Sequence, residues 1–148
     1  MSLNRLMIGF LIATHGKLAD GLLDSATLIV GKQEQVNTMS ITHETNIEEF
    51  GEEMVKQIQQ LDSGDGVIVF TDLLLASPYN QAGIGYKKIQ ETCQYRVISG
   101  TNLPILLEAI SERMRGNTNL DEVVDNLLLC GKEGIKEFFK EFQKYSTK

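Results

Sequence analysis

Apolar residues fill positions 6 to 13 (LMIGFLIA) without a break, the pattern of a strand buried on both faces. Leu18, Leu22, Leu23, Ala26 and Ile29 then recur at helical spacing. The first unit therefore reads as strand, a loop from Thr14 to Lys17, and a helix closed by Gly31. Residues 36 to 41 (VNTMSI) alternate with period two, and Thr45 with Glu48 makes a capping-box spacing ahead of Ile47, Phe50, Met54, Ile58 and Leu61. That predicts a second strand and helix. A turn from Ser63 to Gly66 precedes the most strand-like run, Val67 to Phe70, which breaks at Asp72.

Ser77-Pro78 is the pairing of an N-cap and a first helical position, predicting a third helix from Pro78 to about Glu91. Tyr95 to Ser99 reads as a fourth strand. Asn102 then caps a helix with Pro104 in its first turn and Leu103, Leu107, Ile110 and Met114 on its buried face. Strands alternating with helices imply an α/β fold: an open, mainly parallel four-stranded sheet with helices on both faces. Beyond Asn119 the pattern is less decisive. Leu120 to Leu129 is helical and Gly131 and Gly134 interrupt it, after which Ile135, Phe138, Phe139 and Phe142 recur at helical spacing. A second helical piece is the reading; an edge strand over Gly134 to Phe139 competes with it.

The 148 residues suffice for one full core, and no linker or repeat divides them, so residues 1–148 are expected to form a single domain. A formal charge of −6 repels phosphate backbones and argues against nucleic-acid partners. Two distant cysteines, Cys93 and Cys130, and two histidines make neither a metal spacing nor a disulfide framework, which fits a reduced, cytoplasmic setting without metal. Arg5 followed by the first apolar run imitates a signal peptide, but no small-x-small cleavage pattern follows, which favours a buried strand.

In open α/β sheets, ligands gather beyond the carboxyl ends of the strands where strand order reverses. With strands in the order 2-1-3-4, the loops after strands one and three face each other. They hold Thr14-His15-Gly16 and Thr71-Asp72, with Ser77 closing the second. A carboxylate from Asp72 on Nδ1 of His15 would leave Nε2 as a nucleophile. Gly16 would let backbone approach a transferred anion, and Ser77 would add a hydroxyl or simply cap its own helix. The plainer alternatives are a structural histidine at a strand end and a turn-forming aspartate. The same side chains suggest a Ser77-His15-Asp72 hydrolytic triad, although the Gly-x-Ser-x-Gly elbow is missing. Gly83-Ile84-Gly85 falls inside a helix, where glycines serve close packing. His43 reads as a solvated loop residue, and the lysines and glutamates from Lys132 to Lys144 as a solvated face.

IGFLIATHG at 8 to 16, GVIVFTD at 66 to 72, ASPYN at 76 to 80, ISGTNLPILLE at 98 to 108 and CGKEGIK at 130 to 136 together resemble enzyme IIA of the mannose and fructose class of the bacterial sugar phosphotransferase system. The resemblance covers about Met7 to Lys136. It implies that His15 accepts a phosphoryl group on Nε2 from the phosphocarrier HPr and passes it to enzyme IIB, with Asp72 orienting the ring and Gly16, Thr14 and Ser77 supporting loop and phosphate. No cofactor enters, because the phosphate arrives already activated on nitrogen. The resemblance further implies a homodimer with an antiparallel fifth edge strand exchanged from the C-terminus, and indirect association with a membrane permease. A regulatory module responding to its phosphorylation state is the alternative. Where relatives usually carry a glycine pair before Ser-Pro, this chain has Leu75 and Ala76; the run Leu73 to Leu75 would form an apolar rim for HPr or IIB.

Overall fold

The first apolar run becomes β1 (Gly9–His15), which lies between two neighbours and is sealed from solvent up to its last residue. The computed structural model describes residues 6–146, so Arg5 of the leader-like reading lies outside them. In chain order β1 is followed by α1 (Leu18–Val30), β2 (Val36–Ile41), α2 (Ile47–Leu61), β3 (Val67–Thr71), α3 (Ser77–Ile89), β4 (Tyr95–Ile98), α4 (Leu103–Met114), α5 (Leu120–Glu133) and α6 (Phe138–Ser146). The four strands pair in parallel in the order β2-β1-β3-β4, as expected.

Alternation along the central strands divides the core into two layers. Phe10 and Ile12 of β1, with Ile68 and Phe70 of β3, face α1, α4 and α5. Leu11 and Ala13, with Val67 and Val69, face α2 and α3. Both faces of β1 and β3 are thus covered, which explains why their sequences are continuous apolar runs instead of an alternating pattern. Phe10 meets Phe70 edge to face at 5.5 Å, and the half-buried Arg113 guanidinium sits 4.1 Å from the Phe10 ring while donating to the Ile8 carbonyl.

Several boundaries differ from the sequence reading. Asn46, not Thr45, caps α2, accepting from the Glu49 nitrogen; Thr45 Oγ1 accepts instead from the Thr42 nitrogen within the preceding turn. Ala76, not Ser77, occupies the N-cap of α3, so Ser77 and Pro78 are its first two helical residues. Asn102 caps α4 as expected, accepting from Ile105. Of Gly83 and Gly85, only Gly85 approaches a neighbour closely.

Gly131 does not break α5. It is buried against α4, where an added Cβ would lie 2.6 Å from Ile105 Cδ1, so packing sets the residue and the helix continues through it to Glu133. The antiparallel fifth strand is not formed among the described residues. Gly134 caps α5 and the segment from Phe138 is helical, following the three-and-four spacing of Phe138, Phe139 and Phe142.

Candidate functional site

The helices after β1 and β3 leave in opposite directions. From β1, α1 leads to β2 across one face; from β3, α3 leads to β4 across the other. The crevice between the carboxyl ends of β1 and β3 is therefore the switch point of the sheet. His15 is the last residue of β1, and Asp72 directly follows the last residue of β3.

Three hydrogen bonds converge on the Asp72 carboxylate. Oδ2 lies 2.8 Å from His15 Nδ1 and accepts the His15 backbone N–H at 3.0 Å, while Oδ1 accepts the Leu73 N–H at 3.0 Å. Burial pushes this carboxyl up, but the hydrogen bonds from the backbone and ring of His15 outweigh it and hold the group below its ordinary value of 3.8. It is thus ionised at neutral pH. An ionised carboxylate only accepts, so Nδ1 carries a proton and the neutral ring keeps its lone pair on Nε2. The His15 side chain is 45% exposed, against 11% for Asp72, and Nε2 bonds to no described residue. A fixed imidazole with an outward nucleophilic nitrogen is the chemistry this pair offers.

Thr14 supports the loop from inside. Fully buried, its Oγ1 accepts from the Ala19 nitrogen at 2.8 Å and donates to the His15 carbonyl at 3.2 Å, tying the end of β1 to the start of α1. Burial removes it from any anion outside. Gly16 takes φ of 55°, a left-handed conformation that glycine adopts without steric cost, and its nitrogen donates to the Ile41 carbonyl at the end of β2. Ser77 opens α3 without a side-chain hydrogen bond to any described residue, so neither the capping role nor the serine-histidine bond of a hydrolytic triad is formed among them. The triad reading fails on that geometry.

One residue set aside in the sequence reading belongs beside the site. A cleft of about 680 Å³ next to His15 is bounded by Lys17, Asp20, Ser40, Thr42 and His43. The signal for His43 is the register: His15 pairs with Ile41, two residues before it. Cys93 is buried and Cys130 is half-buried, both as free thiols. Among the described residues no group of three or more His, Cys, Asp and Glu is placed to hold a metal ion, and no helix is long and apolar enough to cross a membrane.

Comparison with known proteins gives the same region a lineage. The family described as PTS system fructose IIA component (EIIA-man) matches residues 9–128. The PTS system mannose-specific EIIAB component of Escherichia coli (strain K12) is 33% identical over 129 residues, which cover 87% of this chain and 39% of that protein. The chain thus spans well under half the length of that relative. The PTS system fructose-specific EIIA component of Bacillus subtilis (strain 168) is 24% identical over 141 residues, 95% of this chain and 93% of its own. Among solved structures, the phosphotransferase system component EIIA from Streptococcus agalactiae superposes with a TM-score of 0.82 at 28% identity, covering 90% of this chain and 99% of that one. The PTS IIA protein associated with the fucose utilization operon of Streptococcus pneumoniae gives 0.78 at 30% identity, covering 95% and 99%.

Proposed function

The chain belongs to the fructose and mannose class of phosphotransferase-system IIA components, and from that premise we propose that it carries phosphoryl groups on His15 Nε2. The observation that supports this most directly is the 2.8 Å contact between His15 Nδ1 and Asp72, which leaves the exposed Nε2 as the free nitrogen. In this reading HPr is the donor, enzyme IIB the acceptor, and a membrane permease the indirect beneficiary.

The transfer is an in-line displacement. The Nε2 lone pair of His15 attacks phosphorus as the N–P bond of the donor phosphohistidine breaks, and that bonding pair returns to the donor ring. Asp72 holds the His15 ring in the competent tautomer and stabilises the positive charge the imidazole gains as the new N–P bond forms. Gly16 lets the main chain approach the phosphoryl oxygens, Ser77 offers them a hydroxyl, and Thr14 keeps the loop in place. A homodimer fits the same reading, because Phe138, Phe139, Phe142 and Tyr145 of α6 are all exposed and a second copy would cover them.

The test is incubation with phosphoenolpyruvate, enzyme I and HPr, followed by mapping of acid-labile phosphate. His15 is expected to carry the label and His15→Ala to carry none; a labelled His15→Ala protein would overturn the assignment. Adding enzyme IIB is expected to discharge the phosphorylated protein, whereas retention of the label points to a regulatory module.

A further inference from the structure

Asp72 stands where β3 has run out of paired neighbours. Pairing ends at Thr71 on the β1 side and at Phe70 on the β4 side, so Asp72 lies beyond both ladders. A carboxylate that must meet one ring nitrogen to within about 0.5 Å needs its own main chain fixed. The segment that follows β4 does this. The Thr71 hydroxyl donates to the Ile98 carbonyl at 2.8 Å, the Thr101 N–H to the Thr71 carbonyl at 3.1 Å, and the Gly100 N–H to the Asp72 carbonyl at 2.9 Å. Gly100 turns through φ of 64°, which glycine takes without strain, and that turn aims its N–H back at Asp72.

Packing alone does not call for threonine at this position. Thr71 is fully buried and ends the run Val67 to Phe70, where valine has the same outline, a comparable β preference and no hydroxyl to desolvate. The bond to Ile98 offsets that desolvation and anchors the strand end. Thr14 shows the same arrangement one strand away: it too is fully buried, it immediately precedes His15, and its hydroxyl oxygen accepts from the Ala19 nitrogen of α1. Each member of the His15–Asp72 pair is thus preceded by a buried threonine that ties its strand end to another element.

We infer that Thr71 is a positioning residue for this pair, acting with the Gly100 N–H to hold the Asp72 main chain where Oδ2 reaches His15 Nδ1; its effect on transfer rests on the phosphoryl-carrier reading above. Released from the end of β4, the carboxylate would meet Nδ1 less often. The neutral ring would then divide between its two tautomers, and the fraction with a lone pair on Nε2 would fall. The Thr71 hydroxyl is engaged by Ile98, so its influence on labelling passes through Asp72.

The test reads the ring first and the rate second. In the unphosphorylated protein at alkaline pH, nitrogen-15 chemical shifts of His15 are expected to show Nδ1 protonated in wild type and in Thr71→Ser. A mixture of tautomers is expected in Thr71→Val and in Gly100→Ala, where the added Cβ meets open space and only the backbone turn is disfavoured. Labelling of His15 by phospho-HPr is expected to slow about two- to tenfold in Thr71→Val, as for loss of one hydrogen bond, and to stay near wild type in Thr71→Ser. In an Asp72→Ala background Thr71→Val is expected to slow labelling no further, because the group it positions is gone. An additive loss there marks a general structural defect and overturns the inference, as do equal losses in the serine and valine variants. Wild-type shifts in both Thr71→Val and Gly100→Ala overturn it as well; should Thr71→Val fail to fold, Gly100→Ala alone decides the ring measurement. That measurement needs no donor, so it stands even if wild-type His15 takes no label, the result that overturns the carrier reading itself.

Discussion

Asp72 Oδ2 serves two nitrogens of a single residue, His15 Nδ1 at 2.8 Å and the His15 backbone N–H at 3.0 Å. One oxygen thus fixes both the ring and the main chain of His15, and it bridges the ends of two adjacent strands. Replacing Asp72 with alanine removes a charge-assisted contact worth about 1.5–3 kcal/mol, which corresponds to a loss of roughly 10- to 100-fold in the rate of His15 labelling. The fold should survive, since the core layers do not include Asp72. Stopped-flow labelling and far-ultraviolet circular dichroism of Asp72→Ala check the two halves of this prediction; undiminished labelling would contradict it.

Stability should depend on acid through the same carboxylate. Its value in the folded protein lies below the ordinary 3.8, despite partial burial that opposes the shift. A group depressed in this way contributes stability that is fully present above its unfolded value and lost as pH falls through the folded one. The gap in urea midpoint between wild type and Asp72→Asn should therefore hold steady from neutrality to about pH 5 and close below that. Glu112, held low chiefly by its bond from Asn117, titrates alike in both proteins and cancels from the comparison. A gap that widens on acidification would be the contrary result.

Leu75 supplies a backbone test independent of function. At φ of 63°, glycine avoids the Cβ contact that leucine and alanine both suffer. Leu75→Gly should be more stable than Leu75→Ala by about 1 kcal/mol, the reverse of the order found in ordinary exposed positions. Chemical denaturation of the pair settles it. Equal stabilities would mean that the loop relaxes to a right-handed conformation.

Gly131 tests packing between α4 and α5. A Cβ there would come within 2.6 Å of Ile105 Cδ1 and Cγ1, and Ile105 is itself buried. Gly131→Ala should destabilise by about 1–3 kcal/mol, although alanine is the better helix former. In an Ile105→Val background the cost should shrink, a coupling that a double-mutant cycle measures. Additive effects would show that the contact does not set the identity of the residue.

Much of the site was legible because it rests on local signals. An unbroken apolar run ending in Thr14-His15-Gly16, and a second ending in Thr71-Asp72, already place a histidine and an aspartate at two strand ends. The cap of α3 was misread because Ser77-Pro78 is a sound capping pair, whereas the extended residue on which the chain turns is Ala76, at ψ of 175°. His43 is an exposed loop residue, as its polar neighbours predict, but nothing local distinguishes one remote from the site from one bordering its cleft. Only the pairing of His15 with Ile41 brings it there.

The linear pattern alone determined which segments are strands and which are helices, since period two, period 3.6 and continuous burial are properties of neighbouring residues. It also determined which residues of chemical interest stand at strand ends. Tertiary structure decided what those residues face. The carboxylate of Asp72 reaches His15 across 57 positions of sequence because β3 pairs with β1 in one register. Gly131 carries no side chain inside α5 because Ile105 of α4 fills the space a Cβ would take. Each of these outcomes depends on contacts between segments distant in the chain, and such contacts leave no periodicity to read.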